Sequence, residues 1–97
     1  MSKHIHTMSD RHIRLAKHAI GLDRKKPYTQ HGKKFYKPYR NYYDTYTNDI
    51  VWKDIADEGY AAHNEPDEKG RVVYWLTEKG REWLGNELGI TIYEEER

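Results

Sequence analysis

Scarcity of aliphatic side chains is the feature that most constrains how this chain can fold. Of its 97 residues only 36% are hydrophobic, whereas 34% are charged, and the chain contains nine Tyr and three Trp. Folding at this length buries about two-thirds of the extended surface, so aromatic side chains, at roughly 150–250 Å² each, must supply much of the core. Each tyrosine is therefore first a candidate core residue. We expect a single domain over residues 1–97, with residues 1–8 and 94–97 frayed.

The residue inventory argues against an enzyme. The chain has no Cys, which excludes disulfides, thiolate metal sites and a cysteine nucleophile. It has only two serines, and neither belongs to an evident nucleophile–base pair. The histidines do not suggest a metal site, because His12 and His18 are six residues apart and His4 and His6 lie near the terminus. We therefore expect a non-catalytic protein with no cofactor and no metal.

Targeting signals are also missing. The N-terminal region has no apolar leader segment, and no apolar run approaches the 18 residues that a membrane helix needs. A chain without Cys suits a reducing compartment. The sequence thus predicts a cytoplasmic protein that does not enter a membrane.

Charge is divided between the two halves of the chain, although the formal net charge is only +1. Residues 1–44 hold 11 Lys and Arg against 3 Asp and Glu, a formal charge of +8, whereas residues 45–97 hold 6 against 13, a formal charge of −7. Such polarity can attract a polyanion to one side, or it can mark two faces that dock on complementary partners. The basic half contains RKKPYTQHGKKFYKPYRNYY, residues 24–43, with seven Lys or Arg, six aromatic residues and no acid.

The segment at residues 26–37 is typical of a β-hairpin. His31 and Gly32 can form a two-residue turn, because His tolerates positive φ better than most residues and Gly adopts it freely. Pairing outward from that turn places Tyr28 opposite Phe35. Their rings are then expected to stack on one face of the hairpin.

About four helices are predicted from capping residues and apolar spacing. Tyr39, Tyr42, Tyr43 and Tyr46 follow Pro38 with the i, i+3, i+4, i+7 spacing of a helical stripe, and extended structure over residues 38–46 is the alternative. The other three predicted helices run over residues 10–20, 48–58 and 77–89, with Ser9, Asn48 and Thr77 as N-caps.

Residues 60–65 and 71–76 are predicted to form a second hairpin, joined across an acidic turn. Val73 and Trp75 face opposite to their neighbours Tyr74 and Leu76, so both sides of the second strand are apolar. Either the N-terminal hairpin covers the side of Val73 and Trp75, or a partner does.

The run GYAAHNEPDEKGRVVYWLTEKGREWL, residues 59–84, resembles the wing and following helix of winged-helix proteins of the MarR and PadR type. In that family a strand written Y-x-L-T-x-x-G-x-x-x-L enters the next helix, and the pattern maps onto Tyr74, Leu76, Thr77, Gly80 and Leu84. The resemblance implies an α+β, winged-helix-like fold of about four helices with a C-terminal two-stranded wing, and DNA binding by a helix-turn-helix whose recognition helix is 48–58. Being small, Cys-free and Tyr-rich, the chain also resembles short proteins of bacterial prophages.

The predicted recognition helix lacks the chemistry that a major groove requires. Its exposed face carries Asp54, Asp57 and Glu58 against Lys53, and acids repel phosphate. We therefore expect DNA or RNA to bind with low sequence specificity through the basic segment, where cations neutralise phosphates and rings stack on bases. The residues expected to bind nucleic acid are Arg24, Lys25, Lys26, Lys33, Lys34, Tyr36, Lys37 and Arg40.

The alternative is that the tyrosines of the basic segment are core residues and that its cations only keep the surface soluble. The protein would then be a protein–protein adaptor that binds a partner, or a second copy, through the acidic helix face or the exposed side of the wing. The residues expected to bind a protein partner are Asp54, Asp57, Glu58, Val73 and Trp75.

Overall fold

The computed structural model describes residues 8–94, so His4 and His6 and most of the predicted frayed ends lie outside the described residues. Three helices are present in that range: α1 at Asp10–Ala19, α2 at Ile50–Asp57 and α3 at Glu78–Leu88. The strands are β1 at Tyr28–Gln30, β2 at Lys33–Tyr36, β3 at Tyr43–Tyr46, β4 at Ala61–His63, β5 at Arg71–Leu76 and β6 at Thr91–Ile92. The predicted α+β class is thereby confirmed.

The strands form two three-stranded sheets. In the first, which we call the hairpin sheet, β2 lies in the middle and pairs antiparallel with β1 and parallel with β6. In the second, which we call the central sheet, β5 lies between β3 and β4 and pairs antiparallel with both. The amide of Tyr93 donates to the carbonyl of Tyr36 at 3.0 Å, which extends the contact of β6 with β2 by one residue.

The core lies against one face of the central sheet. Val72, Tyr74 and Leu76 alternate along β5 and are buried, as expected for a strand with one face inward. The indole of Trp52 on α2 stacks on the Tyr74 ring with 5.4 Å between centroids. The other helices complete the core with Ala16, Ala19, Trp83 and Leu84. Aromatic residues therefore supply a large part of the core, as the shortage of aliphatic residues predicts.

The predicted N-terminal hairpin is confirmed in both its register and its turn. Tyr28 pairs with Phe35, and Gln30 pairs with Lys33 next to the turn. His31 has a φ of 53° and the following Gly a φ of 77°, the left-handed values that a tight two-residue turn requires. The rings of Tyr28 and Phe35 stack with 5.8 Å between centroids.

The predicted helix over residues 38–46 is wrong, and with it the predicted count of four helices, whereas the predicted hairpin of the wing is present as β4 and β5. Residues 43–46 form β3, and only α2 lies between β3 and β4, so the described residues contain no helix-turn-helix. Aromatic and β-branched residues favour strands, and pairing with β5 satisfies the backbone of this segment. Tyr39, Tyr42 and Tyr46 are exposed, which contradicts their expected place in the core.

Other predicted elements are present with small shifts. Thr77 caps α3 by accepting a hydrogen bond from the Gly80 amide at 3.0 Å. Gly80 is buried where α3 crosses the chain, because a Cβ at that position would lie 1.8 Å from the Tyr60 carbonyl oxygen. The N-cap of α2 lies one residue later than predicted, since the carboxylate of Asp49, not the side-chain amide of Asn48, accepts from the amides of Val51 and Trp52.

α1 carries its predicted caps. The Ser9 hydroxyl accepts from the His12 amide, and Gly21, with a φ of 82°, follows the end of the helix. Met8, which was expected to fray, instead packs against the core.

Candidate nucleic-acid interface

The hairpin sheet has an inner and an outer face with different roles. Tyr36 of β2 and Ile92 of β6 are paired neighbours that point inward and contact the core. Strand alternation places Lys33 and Phe35 on the opposite, outer face. Tyr28 and Tyr93 contact Phe35 and therefore share that face.

Three aromatic rings lie side by side on the outer face, and we call Tyr28, Phe35 and Tyr93 the ring row. The centroid distances are 5.8 Å from Tyr28 to Phe35 and 5.9 Å from Phe35 to Tyr93, with interplanar angles of 28° and 11°. Phe35 is half-buried between the others, whereas Tyr28 and Tyr93 keep 42% and 41% of their surface exposed. The row does not belong to the main core cluster.

Six exposed cations lie in the same chain segment as Tyr28 and Phe35, and we call them the hairpin cations: Arg24, Lys25, Lys26, Lys33, Lys34 and Lys37. Strand alternation places Lys33 on the outer face with the ring row and Lys34 on the inner side. Within residues 8–94, no carboxylate lies within ion-pair distance of any of them. Lys33 and Lys34 lie beside the turn, and the register that pairs Tyr28 with Phe35 brings Lys26 toward Lys37 at the other end. At about 3.3 Å per residue, the two ends are roughly 13 Å apart.

Tyr36 is not part of this surface, contrary to the sequence-based expectation. It is 1% exposed, and its hydroxyl donates to the carbonyl of Ile20 at 2.8 Å, so it anchors β2 to the end of α1. Burial raises the pKa of Tyr36 to about 12. The strand period places Tyr36 on the inner face, one residue out of phase with the ring row.

Arg40 is also unavailable to a polyanion, although the sequence suggested that it was. Its guanidinium donates to the carbonyl of His18 at 2.6 Å near the end of α1, and it lies 3.9 Å from the Asp23 carboxylate and 5.5 Å from the Tyr39 ring centroid. A hydrogen bond with His18 is the main cause that holds the pKa of Asp23 below its ordinary value, and the charge of Arg40 contributes less. Arg40 therefore closes the end of a helix.

Charge changes along the ring row. Tyr28 lies in the acid-free segment, whereas Tyr93 is followed by the exposed acid Glu94. Tyr93 and Glu94 also line a shallow cleft with Glu78, Arg81 and Glu82 of α3. The Tyr28 end of the ring row is therefore the more positively charged end, and the Tyr93 end is the more acidic one.

The acidic face of α2 is engaged within the fold. Asp54 lies 3.1 Å from the Nε2 atom of His12 on α1, and Asp57 lies 3.5 Å from Lys53. Glu58 is the C-terminal capping residue of α2 and is half-buried. Asp54, Asp57 and Glu58 thus lie on one side of α2. The other two residues expected to bind a protein partner, Val73 and Trp75, lie on β5 instead.

Val73 and Trp75 lie on the outer face of the central sheet, as their alternation with Tyr74 and Leu76 predicts. Trp75 keeps 37% of its surface exposed and Val73 is half-buried. The N-terminal hairpin pairs with β6 and leaves Trp75 exposed, so the expected cover from the hairpin is wrong. An ion pair between Arg71 and Asp44, at 3.0 Å, crosses the same face.

Tyr93 is the residue that the sequence-based prediction missed. No element was predicted for the run ITIY, residues 90–93, yet residues 91–92 form β6. Its alternation of β-branched and aromatic residues is a strand signal. A two-residue strand is too short to predict its partner, and the parallel pairing with β2 joins residues more than fifty positions apart.

No protein-family model, curated protein or solved structure matches this chain. Among residues 8–94, no helix is both long and apolar enough to cross a membrane. Within the same range, no group of three or more His, Cys, Asp or Glu residues could hold a metal ion. Function must therefore be argued from the surface itself, because a fold alone does not determine it.

Proposed function

We propose that this protein binds nucleic acid with low sequence specificity through the hairpin cations. The observation that carries this proposal is a set of six exposed cations with no carboxylate partner among the described residues. Exposed Lys and Arg are normally interspersed with acids, which lowers local self-repulsion. A cationic surface without acids is instead suited to neutralising phosphates and releasing their counterions.

The geometry supports contact with several phosphates at once. Lys33 and Lys34 lie at one end of the hairpin and Lys26 and Lys37 lie toward the other, roughly 13 Å apart at the rise of a β-strand. Successive phosphates of one strand are about 3.4 Å apart along a duplex axis. The hairpin therefore spans several nucleotides. Because Lys and Arg contacts with phosphate carry no base information, low sequence specificity follows.

Salt dependence and charge reversal test the proposal. If about five hairpin cations contact phosphates, the logarithm of the association constant should fall against the logarithm of salt concentration with a slope of about −4 to −5 on duplex DNA. Replacing Lys33, Lys34 and Lys37 by Glu should abolish binding. The matched control replaces Lys53, Lys69 and Lys79, which are exposed in the acidic half, by Glu.

The control variant has the same net charge as the test variant, so only the location of the charge differs. Retained binding in the control and lost binding in the test variant support the hairpin surface. Absence of binding to DNA and RNA at low salt overturns the proposal. Equal losses in the two variants also overturn it, because net charge alone would then explain the binding.

A second candidate function is protein binding through the outer face of the central sheet. The specific observation is that Trp75, Val73 and the exposed Tyr46 share this face around the Arg71–Asp44 ion pair. An apolar patch with an ion pair in it is typical of a protein interface. We propose a second copy of the chain as the partner to test first. Sedimentation should then show a dimer that Trp75→Arg dissociates, whereas a concentration-independent monomer contradicts it.

A further inference from the structure

We infer that the nucleic acid bound by the hairpin sheet is single-stranded, with its bases stacked on Tyr28 and Tyr93 at the ends of the ring row. This inference rests on the proposed function and adds the class of partner to it. It depends on the aromatic residues, whereas the proposed function depends on the cations.

The ring row has no structural role in the main core. The inner-face residues Tyr36 and Ile92 attach the hairpin sheet to the body, and none of the three outer rings belongs to the core cluster. A sheet that buries one face normally presents polar residues on the other. Cross-strand stacking contributes only a small stabilisation, so three aromatic side chains on the solvent face are more than the attachment of this sheet requires.

The two end rings are available to a ligand. Among residues 8–94 each contacts only one other ring, that of Phe35, and each keeps about two-fifths of its surface exposed. The centroid distances along the row place Tyr28 and Tyr93 no more than about 12 Å apart. Stacking on an aromatic side chain requires an exposed base, and every base has a face that can stack.

A single strand fits this surface better than a duplex does. The bases of a duplex are stacked on one another, so they cannot reach rings on a sheet face, whereas those of a single strand can. Reading a duplex from the major groove needs an element that enters the groove, and the exposed side of α2 carries acids. Rings beside unpaired cations are the combination that proteins use for single strands.

The charge gradient along the ring row orients the strand. Phosphates are attracted toward Lys33 and the cations near Tyr28, whereas Glu94 disfavours a phosphate beside Tyr93. The base that stacks on Tyr93 must therefore direct its backbone away from Glu94. Glu94→Gln is expected to strengthen single-strand binding by a small factor, about two- to threefold, since one exposed charge is removed.

The decisive experiment compares two double variants that are changed at the same two residues. Tyr28→Phe with Tyr93→Phe keeps both rings, and Tyr28→Leu with Tyr93→Leu keeps apolar bulk but removes the aromatic faces. Binding is measured by fluorescence anisotropy with a labelled oligothymidine and with a labelled duplex of the same length at one salt concentration. Circular dichroism checks that each variant folds.

The Phe pair should bind oligothymidine like the parent protein, and the Leu pair should bind it at least about tenfold more weakly, as expected for the loss of base stacking. The duplex should bind more weakly than oligothymidine, with equal affinity for both pairs. Tyr42→Leu, at an exposed ring outside the strands and outside the ring row, is the control and should leave both affinities unchanged.

The failures of this inference and of the proposed function are distinguishable. If the Leu pair binds oligothymidine as well as the Phe pair, while the charge-reversed lysine variant does not bind, the cations alone act and the single-strand inference is overturned. A higher affinity for duplex than for oligothymidine overturns it as well. If the parent binds neither probe at low salt, the proposed function fails, and this inference fails with it.

Discussion

The inner face of the central sheet and the outer face of the hairpin sheet use aromatic residues in opposite ways. In the central sheet, Tyr74 lies on the inner face and stacks on Trp52, so the ring contributes to the core. In the hairpin sheet, the ring row lies on the outer face and contacts only itself among the described rings. The rings on the inner face of the central sheet are thus structural, whereas those on the outer face of the hairpin sheet are available for binding.

Their surroundings differ in charge as well. The outer face of the central sheet contains an Arg71–Asp44 ion pair and adjoins the acidic turn at residues 65–70. The hairpin sheet carries Lys33, Lys34 and Lys37 without acidic partners among residues 8–94. An exposed ring among balanced charges suits a protein partner, whereas an exposed ring among cations suits a polyanion. The charges beside an exposed ring therefore indicate which kind of partner that ring can bind.

The largest expected effect on stability comes from the side chain of Asn41, which holds β5 of the central sheet. The side chain of Asn41 is buried and bonds both backbone groups of Leu76, donating to its carbonyl at 2.9 Å and accepting from its amide at 2.8 Å. Asn41→Ala removes both bonds and leaves the Leu76 carbonyl with only a 3.5 Å hydrogen bond from the Arg81 guanidinium, at about 1–3 kcal/mol for each lost bond. The free energy of unfolding in a denaturant titration should fall by about 2–6 kcal/mol. Exposed Asn48→Ala is the control, and equal stability of the two variants would contradict the structural role of Asn41.

A second large effect is expected where α3 packs against Tyr60, the residue before β4. A methyl group at position 80 would lie 1.8 Å from the backbone oxygen of Tyr60, which cannot move as a side chain can. Gly80→Ala should therefore destabilise by on the order of 1–3 kcal/mol, despite the better helix propensity of Ala. Thermal unfolding measures the change against Glu87→Ala, an exposed substitution in the same helix. A midpoint above that of the parent would show that Gly80 does not pack against the Tyr60 carbonyl.

An intermediate effect is expected at alkaline pH, where the anchor of the hairpin sheet ionises. Burial raises the pKa of Tyr36 from about 10 to about 12, so the unfolded chain releases this proton first. The stability that neutral Tyr36 contributes is full below pH 10 and is lost between about pH 10 and 12. Tyr36→Phe should remove part of that pH dependence and cost about 1 kcal/mol at neutral pH for the lost hydrogen bond to Ile20.

Tyr74 is the comparison within the central sheet for this pH series. Burial also raises its pKa, so it adds its own loss of stability in alkaline solution. Denaturant titrations of Tyr36→Phe and Tyr74→Phe across this range separate the two anchors. An unchanged pH dependence in Tyr36→Phe would mean that Tyr36 is not buried in solution.

The smallest effect on stability is expected for the ring row itself. Tyr28 lies on an edge strand, and its contact with Phe35 is a single cross-strand pair, worth roughly 0.2–1 kcal/mol. Tyr28→Ser should therefore lower the free energy of unfolding by less than about 1 kcal/mol. Tyr74→Ser should cost several times more in the same denaturant titration, because Tyr74 is buried. Comparable losses would show that the ring row is a second core, and the contrast between the sheets would disappear.

Local patterns predicted the elements that local physics controls. The turn at His31-Gly32 and the caps Ser9 and Thr77 were all predicted from one to four neighbouring residues. The stripe at residues 39–46 failed for the opposite reason. Its spacing fits a helix, but its weak helix formers pair with β5, a strand that lies almost thirty residues further along the chain.

The residues of the candidate site were also predicted only in part. The six hairpin cations were predicted correctly as exposed, because unpaired Lys and Arg side chains are almost never buried. Tyr36 and Arg40 were assigned to the surface, yet one points inward and the other closes the end of α1. A sequence does not show which face of a short hairpin turns toward the body.

Turn geometry and composition are local properties, so the hairpin, its register and the acid-free charge of its surroundings could be predicted from the sequence alone. Only the tertiary structure decided which rings are exposed. The parallel pairing of β6 with β2 brings Tyr93 beside Phe35 and completes the ring row from a segment near the other end of the chain. Such pairing depends on how the helices pack the two segments together, and no short window of sequence contains that information.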